Sequence, residues 1–142
     1  MKLKKVEKPA TDKTKQGKRA KNKGSSYERT LAKMFGNRYG IELKRTPQSG
    51  GFSKKSEKAD DFRGDITLVD KDLELKVHIE AKNQKTWKLK EWITQAENDC
   101  PDGRVPVVVF HQHNTSRDYV CIPLSGFFEI VPKDNIVQKK GV

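Results

Sequence analysis

The sequence has no long hydrophobic run. The longest apolar stretch in its 142 residues is the short block Val107–Phe110. A membrane-spanning helix needs about 20 consecutive apolar residues, and a signal peptide needs an apolar segment of its own. We therefore expect neither a membrane span nor a signal peptide, and we expect a cytoplasmic protein.

Cysteine and histidine are also scarce. Cys100 and Cys121 stand alone, without the CxxC spacing of metal or redox sites, and are interpreted as reduced thiols of the core. His111 and His113 could form half of a zinc site, but the only other histidine is His78 and no soft ligand lies next to them. We interpret His111 and His113 as surface residues near a turn.

Charge is abundant and unevenly placed. Residues 1–23 carry ten Lys or Arg against two acidic residues, a net +8 that leaves +3 for the rest of the chain. Such a stretch cannot bury enough apolar surface to fold alone, so it is predicted to be a disordered tail that binds a polyanion, most simply nucleic acid. A solubilising or targeting tail is the alternative. The predicted division is tail 1–23, one folded domain 24–132 and a basic C-terminal tail 133–142.

The first helix is predicted to begin at Ser25. Ser25 and Glu28 have the spacing of a capping box, and Gly36 or Gly40 is expected to end the helix. Apolar residues recur at helical spacing through Tyr27, Leu31, Met34 and Phe35. Glu28 therefore has two interpretations, a cap of its own helix or a functional carboxylate.

A short strand and a long polar loop are predicted next. The strand covers residues 41–46. Its odd-numbered positions are apolar except for Arg45, which is therefore placed at a bend or facing a ligand. The loop from Pro47 to Gly64 has no periodicity, which is typical of functional or disordered segments. We interpret it as a mobile basic clamp for a phosphate backbone, with a passive linker as the alternative. Its basic residues include Lys54, Lys55 and Arg63.

The segment from Gly64 to Lys82 carries the strongest signal. Residues 73–82 alternate apolar and polar side chains, which predicts a half-buried strand with Glu80 and Lys82 on one face. Residues 65–69 read as the preceding strand of a hairpin, which would bring Asp65 beside Glu80. Two carboxylates so placed repel unless a cation lies between them, and their oxygens suit Mg²⁺ or Mn²⁺. The alternative is an ordinary solvated strand face.

The remaining chain predicts an α/β fold. A helix follows Thr86 as possible N-cap, and Gln95 flanks its apolar face and can reach back to the hairpin. Val105–Phe110 is expected to be a central buried strand, paired with residues 118–122 through a turn at 114–117. Ser125 is expected to cap a last short helix. The order helix, three strands, helix, two strands, helix indicates a mixed central sheet flanked by helices.

The chain from Ser25 to about residue 131 resembles the PD-(D/E)XK nuclease superfamily, and within it the archaeal-type Holliday junction resolvases, including versions carried by phages. The matching residues are Tyr27-Glu28-Arg29, Arg45, Ser49-Gly50-Gly51, Gly64-Asp65-Ile66, Ile79-Glu80-Ala81-Lys82 and Gln95. The departures from the family pattern are the insertion at residues 52–63 and the lysine-rich tail.

The resemblance implies a restriction-endonuclease-like fold and a set of residue roles. It implies that Glu28, Asp65 and Glu80 bind Mg²⁺, for which Mn²⁺ would substitute, and that Lys82 is catalytic. It implies contacts with the DNA backbone for Arg45 and Ser49, with Gln95 in support. We also expect DNA contacts from Arg29 and, through the basic loop, from Lys54, Lys55 and Arg63.

The expected activity is a homodimeric, Mg²⁺-dependent endonuclease that resolves four-way DNA junctions by paired nicks, acting at the nucleoid or in a phage-infected host cell. A related nuclease for flaps or duplex DNA and a non-catalytic basic DNA-binding protein are the alternatives. An inert binder gains nothing from carboxylates placed where phosphate must approach, which favours the nuclease.

Overall fold

The computed structural model describes residues 11–47, 64–131 and 138–140. In chain order the elements are α1 (Thr11–Tyr39), β1 (Leu43–Arg45), β2 (Ile66–Leu68), β3 (Val77–Lys82), α2 (Leu89–Asp99), β4 (Val105–His111), β5 (Asp118–Cys121) and α3 (Leu124–Ile130). The predicted order of helices and strands is confirmed. Among the described residues, no helix is both long and apolar enough to cross a membrane.

The described strands form two sheets. In the larger one, β4 lies between β3 and β5, parallel to β3 and antiparallel to β5. Parallel neighbours cannot be joined by a tight turn, so the chain crosses from β3 to β4 through α2. In the smaller sheet, β1 and β2 pair antiparallel. The fold is α/β with a mixed sheet, as predicted.

The core has two apolar layers, one on each face of β4. Val105, Val107 and Val109 pack in one buried cluster with residues of α1, including Leu31, while Val108 and Phe110 pack in a second cluster with residues of α2. This explains why β4 is apolar at nearly every position: both of its faces are covered. Full burial of a side chain such as Leu31 contributes about 1.5–3 kcal/mol.

Helix α1 begins earlier than the sequence predicts. It starts at Thr11, so residues 11–23 of the basic stretch are helical and Ser25 and Glu28 lie in the helix interior. The predicted capping box at Ser25 is therefore wrong, because an interior residue has no unpaired N-terminal N–H group to cap. At the other end Gly40 has φ +66°, and the Ile41 N–H donates to the Gly36 carbonyl at 3.1 Å. This left-handed ending is why the helix stops at a glycine.

The hairpin predicted from residues 65–82 is wrong. β2 pairs with β1, and β3 pairs with β4. The alternation of side chains reports which positions share a face, but it does not report which strand is the hydrogen-bonded neighbour. The chain turns at Asp70, whose Oδ1 accepts from the Asp72 N–H, and the first residues of the predicted second strand lie outside β3.

Two other predicted helix caps are also wrong. The residue before α2 is Lys88 rather than Thr86, and the residue before α3 is Pro123 rather than Ser125. The turn at residues 114–117 is confirmed, because the Gln112 N–H donates to the Arg117 carbonyl across it. Asn114 takes the left-handed conformation in this turn, with φ 59°.

Candidate active site

Asp65 is the residue that joins the two sheets. Its backbone N–H donates to the Ile79 carbonyl at 2.8 Å, and its carbonyl accepts from the Thr46 N–H at 2.9 Å. Its side-chain Oδ2 accepts from the Ala81 N–H at 2.7 Å. The Asp65 carboxylate is thus held against β3 at the residue between Glu80 and Lys82. The sequence predicted this neighbourhood, although through the wrong strand pairing.

Glu80 and Asp65 are both buried carboxylates. Glu80 is 4% exposed and Asp65 is 7% exposed. Burial raises the pKa of Asp65 to about 8, and the nearby charge of Glu80 adds to the rise, as does that of Glu28. The Ala81 N–H and the Lys82 ammonium act in the opposite direction. Buried like charges of this kind are costly unless a proton or a cation compensates them.

Glu28 reaches the same neighbourhood from α1. It follows the buried Tyr27, and its carboxylate forms an ion pair with Arg45 of β1, in which the Arg45 Nε donates to Glu28 Oε2. Because the pKa of Asp65 responds to the charge of Glu28, the three carboxylates belong to one electrostatic group. The structure therefore pairs Arg45 with an acidic residue, a contact that sequence reasoning did not foresee.

Lys82 lies at the end of β3, beside α2. Its Nζ donates to the Gln95 Oε1 at 2.7 Å. A side-chain amide oxygen accepts from the ammonium without neutralising it, so the positive charge of Lys82 is oriented and retained. Gln95 does reach back to β3, the strand that carries the Glu80-Ala81-Lys82 (E-x-K) motif, as the sequence suggested.

Of the other residues predicted to contact DNA, the structure describes Arg29. Arg29 is exposed on α1 and lies about 100° around the helix axis from Glu28. Ser49, Lys54, Lys55 and Arg63 lie outside the described residues. Their DNA contacts stay predictions.

The donor set suits a hard divalent cation. Within residues 11–47, 64–131 and 138–140, no group of three or more His, Cys, Asp or Glu side chains is close enough to hold a metal ion. Mg²⁺, however, is commonly bound by one or two carboxylates together with waters and substrate phosphate oxygens. Asp65 and Glu80 supply two such carboxylates, and the charge of Glu80 adds to the rise that burial causes in the pKa of Asp65.

Sequence reasoning missed His78. This residue is 1% exposed, and its Nε2 lies 3.2 Å from Glu80 Oε1. The signal was present in the sequence, since residues 78, 80 and 82 of one strand share a face. The alternation of side chains along the strand could therefore have identified His78 as a neighbour of the predicted ligand Glu80.

A second polar group ties α1 to the β4–β5 hairpin. The Tyr27 hydroxyl donates to Asp118 Oδ1 at 2.7 Å, and His111 Nδ1 lies 3.0 Å from the same oxygen. Burial, followed by the hydrogen bond and the charge of Asp118, raises the pKa of Tyr27. Tyr27 therefore stays a neutral donor that anchors the helix turn carrying Glu28.

An α/β fold in which an aspartate lies beside a strand that carries a Glu-x-Lys motif is the arrangement of a PD-(D/E)XK nuclease. Comparison with protein-family models gives a match over residues 19–140 to a family described as "Phage putative PDDEXK endonuclease". The match covers most of the chain, and the chain belongs to this family of phage endonucleases. Searches of curated proteins and of solved structures gave no match.

Proposed function

We propose that the chain is a Mg²⁺-dependent, structure-selective DNA endonuclease that resolves four-way junctions by paired nicks. The observation that carries the proposal is the juxtaposition of Asp65, Glu80 and Lys82 around one hydrogen bond, the bond from Ala81 N–H to Asp65. Membership of the endonuclease family supports the nuclease part of the proposal.

The proposed metal ligands are Asp65 and Glu80, and Glu28, whose charge acts on Asp65, is the third ligand that the family resemblance implies. A bound Mg²⁺ would supply Lewis-acid polarisation of the scissile phosphate and a water of lowered pKa, and Mn²⁺ would substitute for it. Asp65 would release the one proton that its raised pKa otherwise retains, and the two buried carboxylates would then bind the cation. Glu28 would have to leave its ion pair with Arg45 to become a full ligand.

The proposed role of Lys82 is electrostatic. Gln95 holds the ammonium at the end of β3, on the segment that carries Glu80. A fixed positive charge there stabilises the negative charge that builds on the phosphate during in-line attack by water. Lys82 would therefore stabilise the transition state, and Gln95 would orient Lys82.

DNA contacts are proposed on two basic surfaces. The first set of candidates is Arg29 and Arg45, together with Ser49, Lys54, Lys55 and Arg63 of the predicted loop, which lie outside the described residues. The second is the N-terminal part of α1, which we call the basic arm. All its described side chains from residue 15 to residue 23 are exposed, and five of them are cationic. They are Lys15, Lys18, Arg19, Lys21 and Lys23. Such a surface binds phosphates without reading bases.

A homodimer is proposed because of the symmetry of the substrate. A four-way junction has approximate two-fold symmetry, and one chain offers one candidate site, so a two-fold dimer supplies a matching pair of cuts. The surface around α3 is a candidate interface, since Phe127 and Phe128 are 44% and 67% exposed. We place this activity in the cytoplasm of a phage-infected host cell, at the DNA.

The deciding experiment uses a labelled four-way junction, a flap and a duplex of shared sequence, with the full chain in Mg²⁺ or in EDTA. We expect paired nicks at symmetry-related positions of the junction in Mg²⁺ alone. Asp65→Asn and Glu80→Gln should abolish cleavage yet keep or strengthen DNA binding, because each removes a ligand and a negative charge near phosphate. Glu74→Gln is the matched control, since Glu74 is exposed just before β3.

Each other outcome rejects a specific part of the proposal. Wild-type cleavage by Asp65→Asn or Glu80→Gln would remove those residues from the site. Equal cleavage of duplex and junction would replace the resolvase with a general duplex nuclease, and preference for the flap would indicate a flap nuclease. Binding without cleavage in Mg²⁺ and in Mn²⁺ would leave a non-catalytic DNA-binding protein.

A further inference from the structure

His78 occupies a buried position on the site face of β3. Its side chain has no exposed surface, and that of Glu80 is 5% exposed. The two side chains are separated by one residue and meet at 3.2 Å, between His78 Nε2 and Glu80 Oε1. The imidazole therefore lies on the protein side of the Glu80 carboxylate, where it does not face solvent.

The hydrogen bond to Glu80 fixes the tautomer of a neutral imidazole. A carboxylate oxygen accepts, so Nε2 carries the hydrogen and Nδ1 is left as an acceptor. Nδ1 is buried and has no hydrogen-bond partner among the described residues. A buried polar atom without a partner costs about 1–3 kcal/mol. Packing alone therefore does not account for a histidine here, because an apolar side chain would avoid that cost.

The other side of the imidazole is closed by Gly64. A Cβ built on Gly64 would lie 3.2 Å from His78 Nδ1 and 3.0 Å from the Ile79 carbonyl oxygen, and Gly64 has φ +82°. Any L side chain at this position would meet both the ring and a strained backbone. Gly64 directly precedes Asp65. The imidazole ring is therefore held between the backbone next to Asp65 and the side chain of Glu80.

We propose that His78 is a positioning residue that sets the placement of Glu80 relative to Asp65 and thereby the affinity of the pair for a divalent cation. The inference rests on the proposed function, in which Asp65 and Glu80 are the ligands. A hydrogen bond to the protein-side oxygen of Glu80 restricts the rotation of that carboxylate. Loss of such an outer partner typically costs about 10–100-fold in metal affinity.

Two substitutions separate the hydrogen bond from the mere presence of a polar side chain. The amide nitrogen of Gln can reach the position of Nε2, whereas that of Asn ends near Nδ1. His78→Gln should therefore keep the bond to Glu80, and His78→Asn should lose it. His78→Leu removes every polar atom at similar volume. His113→Leu is the control, since His113 is exposed in the β4–β5 turn.

The measurement is Mn²⁺ binding to the full chain by calorimetry, with circular dichroism to check the fold. We expect His78→Asn and His78→Leu to weaken Mn²⁺ binding by about 10–100-fold, and His78→Gln and His113→Leu to stay within about 3-fold of wild type. At saturating Mn²⁺ the cleavage rate of His78→Asn should return close to wild type, because His78 does not touch the substrate.

The failure of this inference differs from a failure of the proposed function. If Glu80→Gln loses Mn²⁺ binding but His78→Asn binds Mn²⁺ with the same affinity as His78→Gln, His78 is not a positioning residue. If His78→Leu does not fold, the Gln and Asn pair still decides the matter. If Glu80→Gln binds Mn²⁺ like the wild type, Glu80 is not a ligand and the proposed site itself is wrong.

Discussion

The backbone N–H of Ala81 donates a 2.7 Å hydrogen bond to the side-chain Oδ2 of Asp65. Ala81 is the middle residue of the E-x-K motif, and Asp65 precedes a strand of the other described sheet. The bond therefore holds the Asp65 carboxylate at the strand that carries Glu80 and Lys82. It also places two buried carboxylates together, which makes the site sensitive to protons and to cations.

Asp65→Asn should stabilise the metal-free protein at neutral and higher pH. The pKa of Asp65 is raised from 3.8 to about 8 in the fold, so folding takes up a proton between these values. The stability that Asp65 contributes is therefore fully present below about pH 4 and is lost as the pH rises through about 8. In EDTA we expect the variant to lose most of this pH dependence and to gain about 1–3 kcal/mol at about pH 8.

Chemical denaturation in EDTA at about pH 5 and about pH 8 measures this effect. Asp72→Asn, at an exposed turn aspartate, should keep the wild-type pH dependence. An unchanged dependence in Asp65→Asn would mean that another group takes up the proton.

Lys82→Ala should reduce the cleavage rate by about 10²-fold or more, the scale of one lost electrostatic contact to the transition state. Mg²⁺ binding should be largely retained, because the carboxylates remain. Gln95→Ala should cost less, since Lys82 keeps its charge and loses only its 2.7 Å partner. Single-turnover cleavage at saturating Mg²⁺ measures both rates. Lys85→Ala is the control, at an exposed lysine three residues away. A parallel loss of folded structure in Lys82→Ala would assign Lys82 a structural role instead.

Neutralising the basic arm should weaken binding to all DNA alike. Changing its five cations to Gln keeps good helix formers while removing the charge. The slope of log affinity against log salt should fall by up to about 4.5, because each of five phosphate contacts contributes about 0.9. Removal of residues 1–23 should act in the same direction, and the rate at saturating DNA should survive both changes. Binding titrations at several salt concentrations test this, with Lys71→Gln as a control at an exposed turn lysine. Unchanged affinity and slope would exclude the arm as a DNA surface.

Phe128→Asp should disrupt the proposed dimer without unfolding the chain, because Phe128 is 67% exposed. Light scattering should report a dimer for the wild type and a monomer for the variant, and the variant should lose paired nicking of the junction. Tyr39→Asp is the matched control, since Tyr39 is 65% exposed at the end of α1. A wild type that is monomeric would reject the dimer, and a variant that stays dimeric would place the interface elsewhere.

The sequence predicted the elements well because periodicity reports burial. The continuous apolar run of β4 gave a central strand, and the apolar spacing of α2 gave its buried face at Trp92 and Ala96. The same patterns failed at boundaries, where local and distant interactions compete. Ser25 and Glu28 have the spacing of a cap, but helix α1 extends back through them to Thr11. No proline lies between Thr11 and Ser25, and Gly17 and Gly24 each cost a helix only about 1 kcal/mol.

The residue types of the candidate site were determined by the sequence alone: Asp65, the Glu80-Ala81-Lys82 motif and the alternation that puts Glu80 and Lys82 on one face. Their meeting was decided by the tertiary structure, since Asp65 reaches β3 through single backbone and side-chain bonds rather than as a hairpin partner. The ion pair of Glu28 with Arg45, the bond of Lys82 to Gln95 and the burial of His78 behind Glu80 are likewise tertiary. The physical reason is that a strand pattern specifies which face a side chain occupies, whereas its partners, and the pKa that they impose, depend on which distant segments pack against that face.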